Sequence, residues 1–560
     1  MYKKNNLSKF EEAIEDIKVI IRARYPILYI ISDEKEHEII KLLYSMCKEG
    51  TYGKKYQKDM YMWDISRGIT MPNIDGKNIY SKTISEESKD PLLAFDWIQE
   101  NNKDKDSIYI LSEFHHYLEE PSIQRKLRLF SEITANNERK MIILLSTKND
   151  GMSGNGKMIP TELENIVNIY DWPYPDEKHI TKFLSKDIIP SLNLSLEDAG
   201  IEKMSFDREE MKLIVNSCKG MTLSQIDHAT SKSIIIHKTL LPKTIAIEKK
   251  QIIKKSDLCD YIEPSESLED IGGLANLKRW LKSRKNILSE EAFDFGCNVP
   301  NGVLFLGPWG SGKSSAAKAI INDWQIPGLR IDASKIYDMY VGSSERKINS
   351  ILKLAESISP CIIWFDEIEN LFAGSESSNS DGGTSSRVLG IISTWMSEHE
   401  GTVFNIFTAN DISNSPSKLF RKGRLDEIFI IDLPVEEERK EIFYIHIKKR
   451  LERQGKIDIV DNIDINLLSK KSINFSGAEI EAAVNTAFIL AYNDDKRDIK
   501  TEDIQKACKE TIPLSCTKRE EIKRMREWQK GRAISASDYI CEEIQDIKEF
   551  YNLGQKNLDI

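Results

Sequence analysis

Eight residues, Gly307-Pro308-Trp309-Gly310-Ser311-Gly312-Lys313-Ser314, constrain this chain more than any other stretch. They spell G-x-x-x-x-G-K-S between the apolar run Val303-Leu304-Phe305-Leu306 and the helix-forming run Ala316 to Ile321. Strand, glycine-rich turn and helix, in that order, let a backbone wrap a phosphate. The glycines allow successive N–H groups to converge without Cβ clashes. The start of the helix adds positive partial charge. In such a loop Lys313 can reach the β- and γ-phosphates of a nucleotide, and Ser314 can hold Mg²⁺.

A match of this length also arises in ordinary α/β loops, so its complement matters. Cys361-Ile362-Ile363-Trp364-Phe365-Asp366-Glu367 is an apolar strand ending in two carboxylates, with Asp366 placed 53 residues after Lys313. Asp366 suits Mg²⁺ held through water, and Glu367 suits the polarisation of an attacking water. Together the two segments point to ATP binding and hydrolysis with Mg²⁺.

At 560 residues the chain has room for three or four domains. It is 40% hydrophobic and 30% charged, enough to bury real cores, and its net charge of -10 does not favour wholesale binding to nucleic acid. Its eight cysteines form no C-x-x-C pair and no Cys/His cluster. A reduced, cytoplasmic chain without a zinc site is the expectation. The polar start Met1-Tyr2-Lys3-Lys4-Asn5-Asn6 does not read as a signal peptide, and runs such as Ile27 to Ile31 are too short to span a bilayer, so no membrane role is expected.

Strand-like runs near 302–306, 329–331, 361–365, 403–408 and 428–433 alternate with helical stretches, which argues for a doubly wound parallel sheet. From Glu436 to about Cys508 the pattern is purely helical, as in a lid. The first half is similar. Buried-strand candidates are Ile27–Ile31, Ile108–Leu111 and Met141–Leu145, followed by helix from about Asp176 to Lys238. Met221-Thr222-Leu223-Ser224-Gln225-Ile226-Asp227-His228-Ala229 resembles Phe475-Ser476-Gly477-Ala478-Glu479-Ile480-Glu481-Ala482-Ala483, and Glu113 precedes Thr222 by 109 residues, as Glu367 precedes Ser476. One architecture used twice is the reading. The first copy has no phosphate loop: after Ile31 the chain reads Ser32-Asp33-Glu34-Lys35-Glu36-His37, and Ser112 stands where Asp366 would. The expected segments are 1–175 (α/β without a phosphate loop), 176–248 (helical), 249–268 (linker), 269–435 (ATPase α/β), 436–512 (lid) and 513–560 (helical tail). Ser375 to Ser386, rich in Ser, Gly and Asn, is expected to be a mobile loop.

With these motifs in order, the second half resembles an AAA ATPase of the AAA+ superfamily over roughly Pro264 to Pro513. The phosphate loop and the 361–367 strand match that family's Walker A and Walker B motifs. The resemblance implies a P-loop NTPase sheet with a helical lid, preceded by a degenerate AAA-like α/β domain. It implies that nucleotide is held by Ile271 and Gly272 of the Asp270-Ile271-Gly272-Gly273 segment, by the loop from Pro308 to Ser315, including Trp309, Gly310, Ser311, Gly312, Lys313, Ser314 and Ser315, by His446, and by Gly477 and Ala478. Asn410 falls at the family's sensor position, where it orients water and the γ-phosphate. Arg421 and Arg424 fall in the segment that carries two arginine fingers, and these complete a neighbour's site in a ring, most often a hexamer. Met339-Tyr340-Val341-Gly342 resembles the pore loop with which such rings grip polypeptide, Tyr340, Val341 and Gly342 being its core.

Over its whole length the chain is similar to a divergent AAA family encoded as a hypothetical frame in plastid genomes, with bacterial relatives. That similarity rests on Arg24-Tyr25-Pro26, on Thr408-Ala409-Asn410-Asp411-Ile412-Ser413 with Arg424-Leu425-Asp426-Glu427-Ile428-Phe429, and on Lys530-Gly531-Arg532-Ala533. Two departures stand out. Trp309 replaces the usual proline, a change expected to be tolerated, and no arginine occupies the lid position at Gly477.

Two functions follow. One is a ring-forming homo-oligomeric motor that remodels an unknown protein client. The alternative is a nucleic-acid-associated or regulatory switch ATPase without threading. The tail from Lys518 to Arg532, with seven Lys/Arg against three acids and Trp528, reads as a solvated helix anchored by Trp528 on a neighbouring lid, with a nucleic-acid patch as the less favoured reading. His115 and His116 read as a helix-start pair rather than metal ligands, and no H-E-x-x-H occurs.

Overall fold

The computed structural model describes the chain apart from residues 1–8, 24, 50–57, 73–79, 102–105, 137–139, 148–158, 199–203, 256–258, 263–266, 289–291, 293–294, 299, 333–335, 337–342, 372–383, 400–401, 412–423 and 540–560. It divides into two units, Met1–Ile252 and Ile253–Ile560. Each is built around one sheet with helices on both faces.

In the first unit the strands are β1 (Ile27–Ser32), β2 (Asp59–Asp64), β3 (Gly68–Pro72), β4 (Tyr80–Ser85), β5 (Ser107–Ser112), β6 (Lys140–Thr147) and β7 (Val167–Asp171). Their order is β4-β3-β2-β5-β6-β1-β7. The run from β2 to β7 is parallel, and β3 and β4 add antiparallel strands beside β2. β1 is buried throughout because both faces are covered, which is why it reads as an unbroken apolar run. Its pleat splits two cores: Ile27, Tyr29 and Ile31 face one, Leu28 and Ile30 the other.

In the second unit the strands are β8 (Asp260–Ile262), β9 (Gly302–Leu306), β10 (Gly328–Asp332), β11 (Cys361–Asp366), β12 (Val403–Ala409), β13 (Glu427–Ile430) and β14 (Ile534–Ser535). Their order is β14-β13-β9-β12-β11-β10-β8. Within it, β13-β9-β12-β11-β10 repeats the parallel order of β7-β1-β6-β5-β2 strand for strand. The backbone repeats a peculiarity too. Glu113 and Glu367, which follow the equivalent strands β5 and β11, are both in the left-handed region at φ 51°. Thr222 and Ser476, the residues paired by the 109-residue spacing, both cap helices through capping boxes. The lid is a separate helical core in which Phe443, Ile447, Leu468, Ile480 and Val484 are buried.

Several elements were not legible. β3, β4 and β7 carry polar residues at alternate or terminal positions and show no run that marks a two-sided buried strand, while in β2 the run is only Met60-Tyr61-Met62-Trp63, between two aspartates. The stretch expected to link the halves holds the end of the helix Pro242–Lys255 and then β8, which pairs antiparallel with β10 and covers the edge of the second sheet. Of the expected mobile loop, 375–383 lie outside the described residues, while Ser385 and Ser386 belong to the helix Thr384–Glu398. The tail is not only helical: beyond the helix Arg519–Gln529 it returns β14 to pair with β13.

The loop after β1 explains how the first unit holds together without a phosphate loop. Glu34 is buried. Its carboxylate accepts from the N–H of Leu223 at 2.6 Å, the N–H of Ser224 at 3.1 Å and Ser224 Oγ at 2.8 Å. It thereby satisfies the open N–H groups that start the helix Leu223–His237. Glu34→Ala removes all three bonds and leaves these part-buried donors without their acceptor, a loss of about 2–3 kcal/mol. Faster amide exchange along 223–237 is expected, with 477–493 unaffected. Unchanged protection of 223–237 would show that Glu34 does not hold this helix.

Candidate functional site

The second unit contains a cleft of about 390 Å³. Its walls are the Asp270–Gly272 segment, the phosphate loop, the ends of β11 and β12, the middle of the lid helix Glu436–Gln454 and the start of the lid helix Gly477–Asn493. Gly310 and Gly312 have φ of 76° and 104°, conformations that glycine adopts freely. A Cβ on Gly310 would lie 2.9 Å from Ser476 Oγ and 3.0 Å from the Ala478 Cβ. The loop therefore runs against the lid, and the N–H of Ala478 donates to the Gly310 carbonyl at 3.1 Å. Ser311 Oγ is buried without a partner among the described residues. An unmet hydroxyl at the centre of a loop of N–H groups fits an anionic ligand.

Lys313 opens the helix Lys313–Trp324 and is buried. Its Nζ donates to the carbonyls of Gly307 and Pro308, both at 2.8 Å. Burial pushes its pKa down to about 8, against the pull of Glu369, Asp366 and Glu367. Phosphate oxygens in the loop would offer this cation stronger acceptors than the two carbonyls.

Asp366 ends β11 with both oxygens engaged. Oδ1 accepts from Thr408 Oγ1 at 2.6 Å, and Oδ2 accepts from Arg330. Glu367 is half-turned by its left-handed backbone, and its N–H donates to the same Thr408 oxygen at 3.1 Å. Asn370 Nδ2 donates to Glu367 Oε2 at 3.1 Å. Asn410 lines the cleft at the end of β12, and its N–H and Nδ2 both donate to Glu369 Oε1, at 3.0 and 2.6 Å. Burial raises the Glu369 pKa above the ordinary carboxylate value.

On the side expected to hold the base, Gly272 lies against the first lid helix, Glu436–Gln454. A Cβ there would meet Ile442 Cγ1 at 2.7 Å. Gly273 N–H donates to Glu441 Oε2 at 2.7 Å, fastening this segment to the lid. His446 lines the cleft with Nδ1 3.8 Å from Glu481, and burial lowers its pKa despite that carboxylate. Ile271, Ser314, Ser315, Gly477 and Ala478 also line the cleft. One cleft thus gathers the expected nucleotide-binding residues except Pro308, with Asp366, Glu367 and Asn410 among them. Arg424 does not line it: its Nε donates to Ser397 Oγ at 3.2 Å. Arg421 and the segment Tyr340, Val341 and Gly342 lie outside the described residues.

Three contributors were missed. Thr408, Arg330 and Glu369 bind the expected residues from neighbouring strands or the turn after β11. Arg330 left one signal, an arginine inside the otherwise apolar Gly328-Leu329-Arg330-Ile331, which requires a partner. The tail corrects another expectation. Ile522 and Met525 are buried, Arg526 pairs with the buried Asp432 at 2.7 Å, and Leu514 N–H donates to Glu479 at 2.6 Å. The basic helix is therefore seated on its own unit. Lys518 Nζ lies 3.8 Å from the ring centre of Trp309, so this unusual loop residue meets the tail. Among the described residues no helix is long and apolar enough to cross a membrane.

Comparison with protein families matches residues 303–433 to the ATPase family associated with various cellular activities (AAA), and residues 462–506 to the AAA+ lid domain. Residues 13–171 match the N-terminal domain of SpoVK-like AAA ATPases, and 186–256 their second domain. The chain is 35% identical over 528 residues to the uncharacterized AAA domain-containing protein ycf46 of Pyropia yezoensis, covering 93% of this chain and 99% of that one. It is 34% identical over 518 residues to the protein of the same description from Trieres chinensis, covering 92% and 96%. With that from Guillardia theta it shares 33% over 523 residues, covering 93% and 95%.

The depressed Lys313 pKa gives a pH test. Phosphate beside the ammonium favours its charged form, so binding takes up a proton wherever free Lys313 is neutral. Affinity for ATP is expected to be full below pH 8 and to fall as pH rises through about 8. Fluorescent-nucleotide titrations from pH 7 to pH 9.5 would follow it. A flat profile would show that Lys313 does not meet phosphate as a cation.

Proposed function

Because the chain belongs to the AAA family of ATPases, we propose that its second unit binds ATP in this cleft and hydrolyses it within a ring of copies of the chain. The observation that supports this most is the convergence of Lys313, Asp366, Glu367 and Asn410 on one cleft between sheet and lid. Ile271, Gly272, His446, Gly477 and Ala478 hold base and ribose. Lys313 turns from the Gly307 and Pro308 carbonyls to the β- and γ-phosphates, and the loop N–H groups from Gly310 to Ser315 face the phosphate chain. Ser314 and Asp366 are the residues that would hold Mg²⁺, which would supply neutralisation of phosphate charge. Glu367 takes the proton of the attacking water, and Asn410 orients that water once it leaves Glu369.

Arg421 and Arg424 act on the adjacent copy, most simply in a hexamer. Arginines supplied in this way are worth ~10³–10⁵ in rate. The ring would use Tyr340, Val341 and Gly342 to grip a protein client, an aromatic side chain being able to wedge against polypeptide of any sequence. Stimulation of turnover by unfolded polypeptide supports that role. Steeply salt-dependent stimulation by DNA or RNA would favour the switch ATPase instead. The inward seating of the tail, with Arg526 committed to Asp432, weighs for the first.

Glu367→Gln is expected to keep ATP affinity and to lose turnover by at least ~10²-fold, because only the proton acceptor is gone. Wild-type turnover by this variant would remove Glu367 from the mechanism. Arg424→Ala is likewise expected to bind and not hydrolyse. Mixing the two inactive proteins creates interfaces that join an intact Glu367 to a neighbour's intact Arg424, so activity should return. No recovery in verified mixed assemblies would exclude action between subunits.

A further inference from the structure

The wall of the cleft contains an ion pair that phosphate binding and lid closure leave unexplained. Arg330, the third residue of β10, places Nη2 at 2.7 Å and Nε at 3.1 Å from Asp366 Oδ2. Its guanidinium carbon also lies 5.2 Å from the ring centre of Trp364, its register partner on β11. Asp366 and Thr408 line the cleft and Arg330 does not, so the cation reaches the carboxylate from behind. With Thr408 on Oδ1, the pair forms a continuous chain from Arg330 through Asp366 and Thr408 to the Glu367 N–H.

The charges around this chain decide what the pair does. Asp366, Glu367 and Glu369 lie close enough to Lys313 to act on it, and even set against the Lys313 charge they leave this wall negative once Arg330 is removed. Such a wall would attract a divalent cation before any nucleotide arrives. A fixed guanidinium on Asp366 lowers that attraction, and a nucleotide's own phosphates restore it. We propose that Arg330 is a positioning residue that sets the metal affinity of the cleft. It suppresses Mg²⁺ binding in the nucleotide-free protein, so that the metal is taken up together with the nucleotide. This rests on the reading that the second unit binds Mg²⁺-ATP.

The test is divalent-ion binding to the full, nucleotide-free chain, with Mn²⁺ followed by electron paramagnetic resonance and Mg²⁺ by calorimetry. Removing one positive charge from beside a divalent cation is expected to tighten binding about tenfold in Arg330→Met. Arg330→Gln keeps a donor for Oδ2 and should move the same way, which preserves the test if the methionine variant does not fold. Arg330→Lys keeps the charge and should stay close to wild type. Adding Asp366→Asn should cancel the gain. Unchanged or weaker metal binding in both neutral variants would overturn the proposal, and so would a gain that survives Asp366→Asn. Fluorescent-ATP binding by the wild-type chain is measured alongside. Its absence would sink the ATP-binding reading itself, whereas normal ATP binding with unmoved metal affinities would sink only the role of Arg330.

Discussion

A helix that begins against a sheet must find acceptors for its first N–H groups, and both units meet that demand with the loop after the equivalent sheet strand. In the second unit the acceptor is the carbonyl of Gly310, which takes the Ala478 N–H. A backbone carbonyl leaves the loop's N–H groups free to face a ligand, and glycine lets the lid approach closely. In the first unit the acceptor is the side chain of Glu34, which takes three bonds from Leu223 and Ser224. That carboxylate sits where the other unit presents its phosphate loop, and it keeps the junction closed without nucleotide. The same strand order thus supports two joints, one closed through a backbone carbonyl and one through a buried carboxylate.

Around the joint of the second unit the charges are held in balance. Lys313 is buried among carboxylates and carbonyls, and Asp366 is fixed between Arg330 and Thr408. Asn410 is retained by Glu369. Each of these groups has a partner within the protein. Such pairs fix the side chains in place, which would limit the reorganisation that binding of a ligand requires.

Much of this was legible in the sequence, for physical reasons. Central parallel strands such as β1, β11 and β12 are buried on both faces and show as apolar runs. The loop from Gly307 to Ser314 is constrained by backbone geometry, which restricts its residues. What stayed hidden depends on register and return. Arg330 meets Asp366 only because β10 pairs with β11, and Thr408 meets both carboxylate residues only because β12 pairs on the other side. Edge strands such as β7 and β8 have one covered side or one covered end, so their polar residues mask them. The tail's contacts with Asp432, Glu479 and Trp309 join segments far apart in the chain, and its basic composition gave no sign that it folds back.

The central claim is that one of the two similarly built units binds nucleotide and the other cannot. Equilibrium binding of ATP to the full chain, read as moles bound per mole of chain at saturation, tests it most directly. One ATP per chain, reduced to none by Lys313→Ala, is the expected result. Two per chain, or one that survives Lys313→Ala, would contradict it.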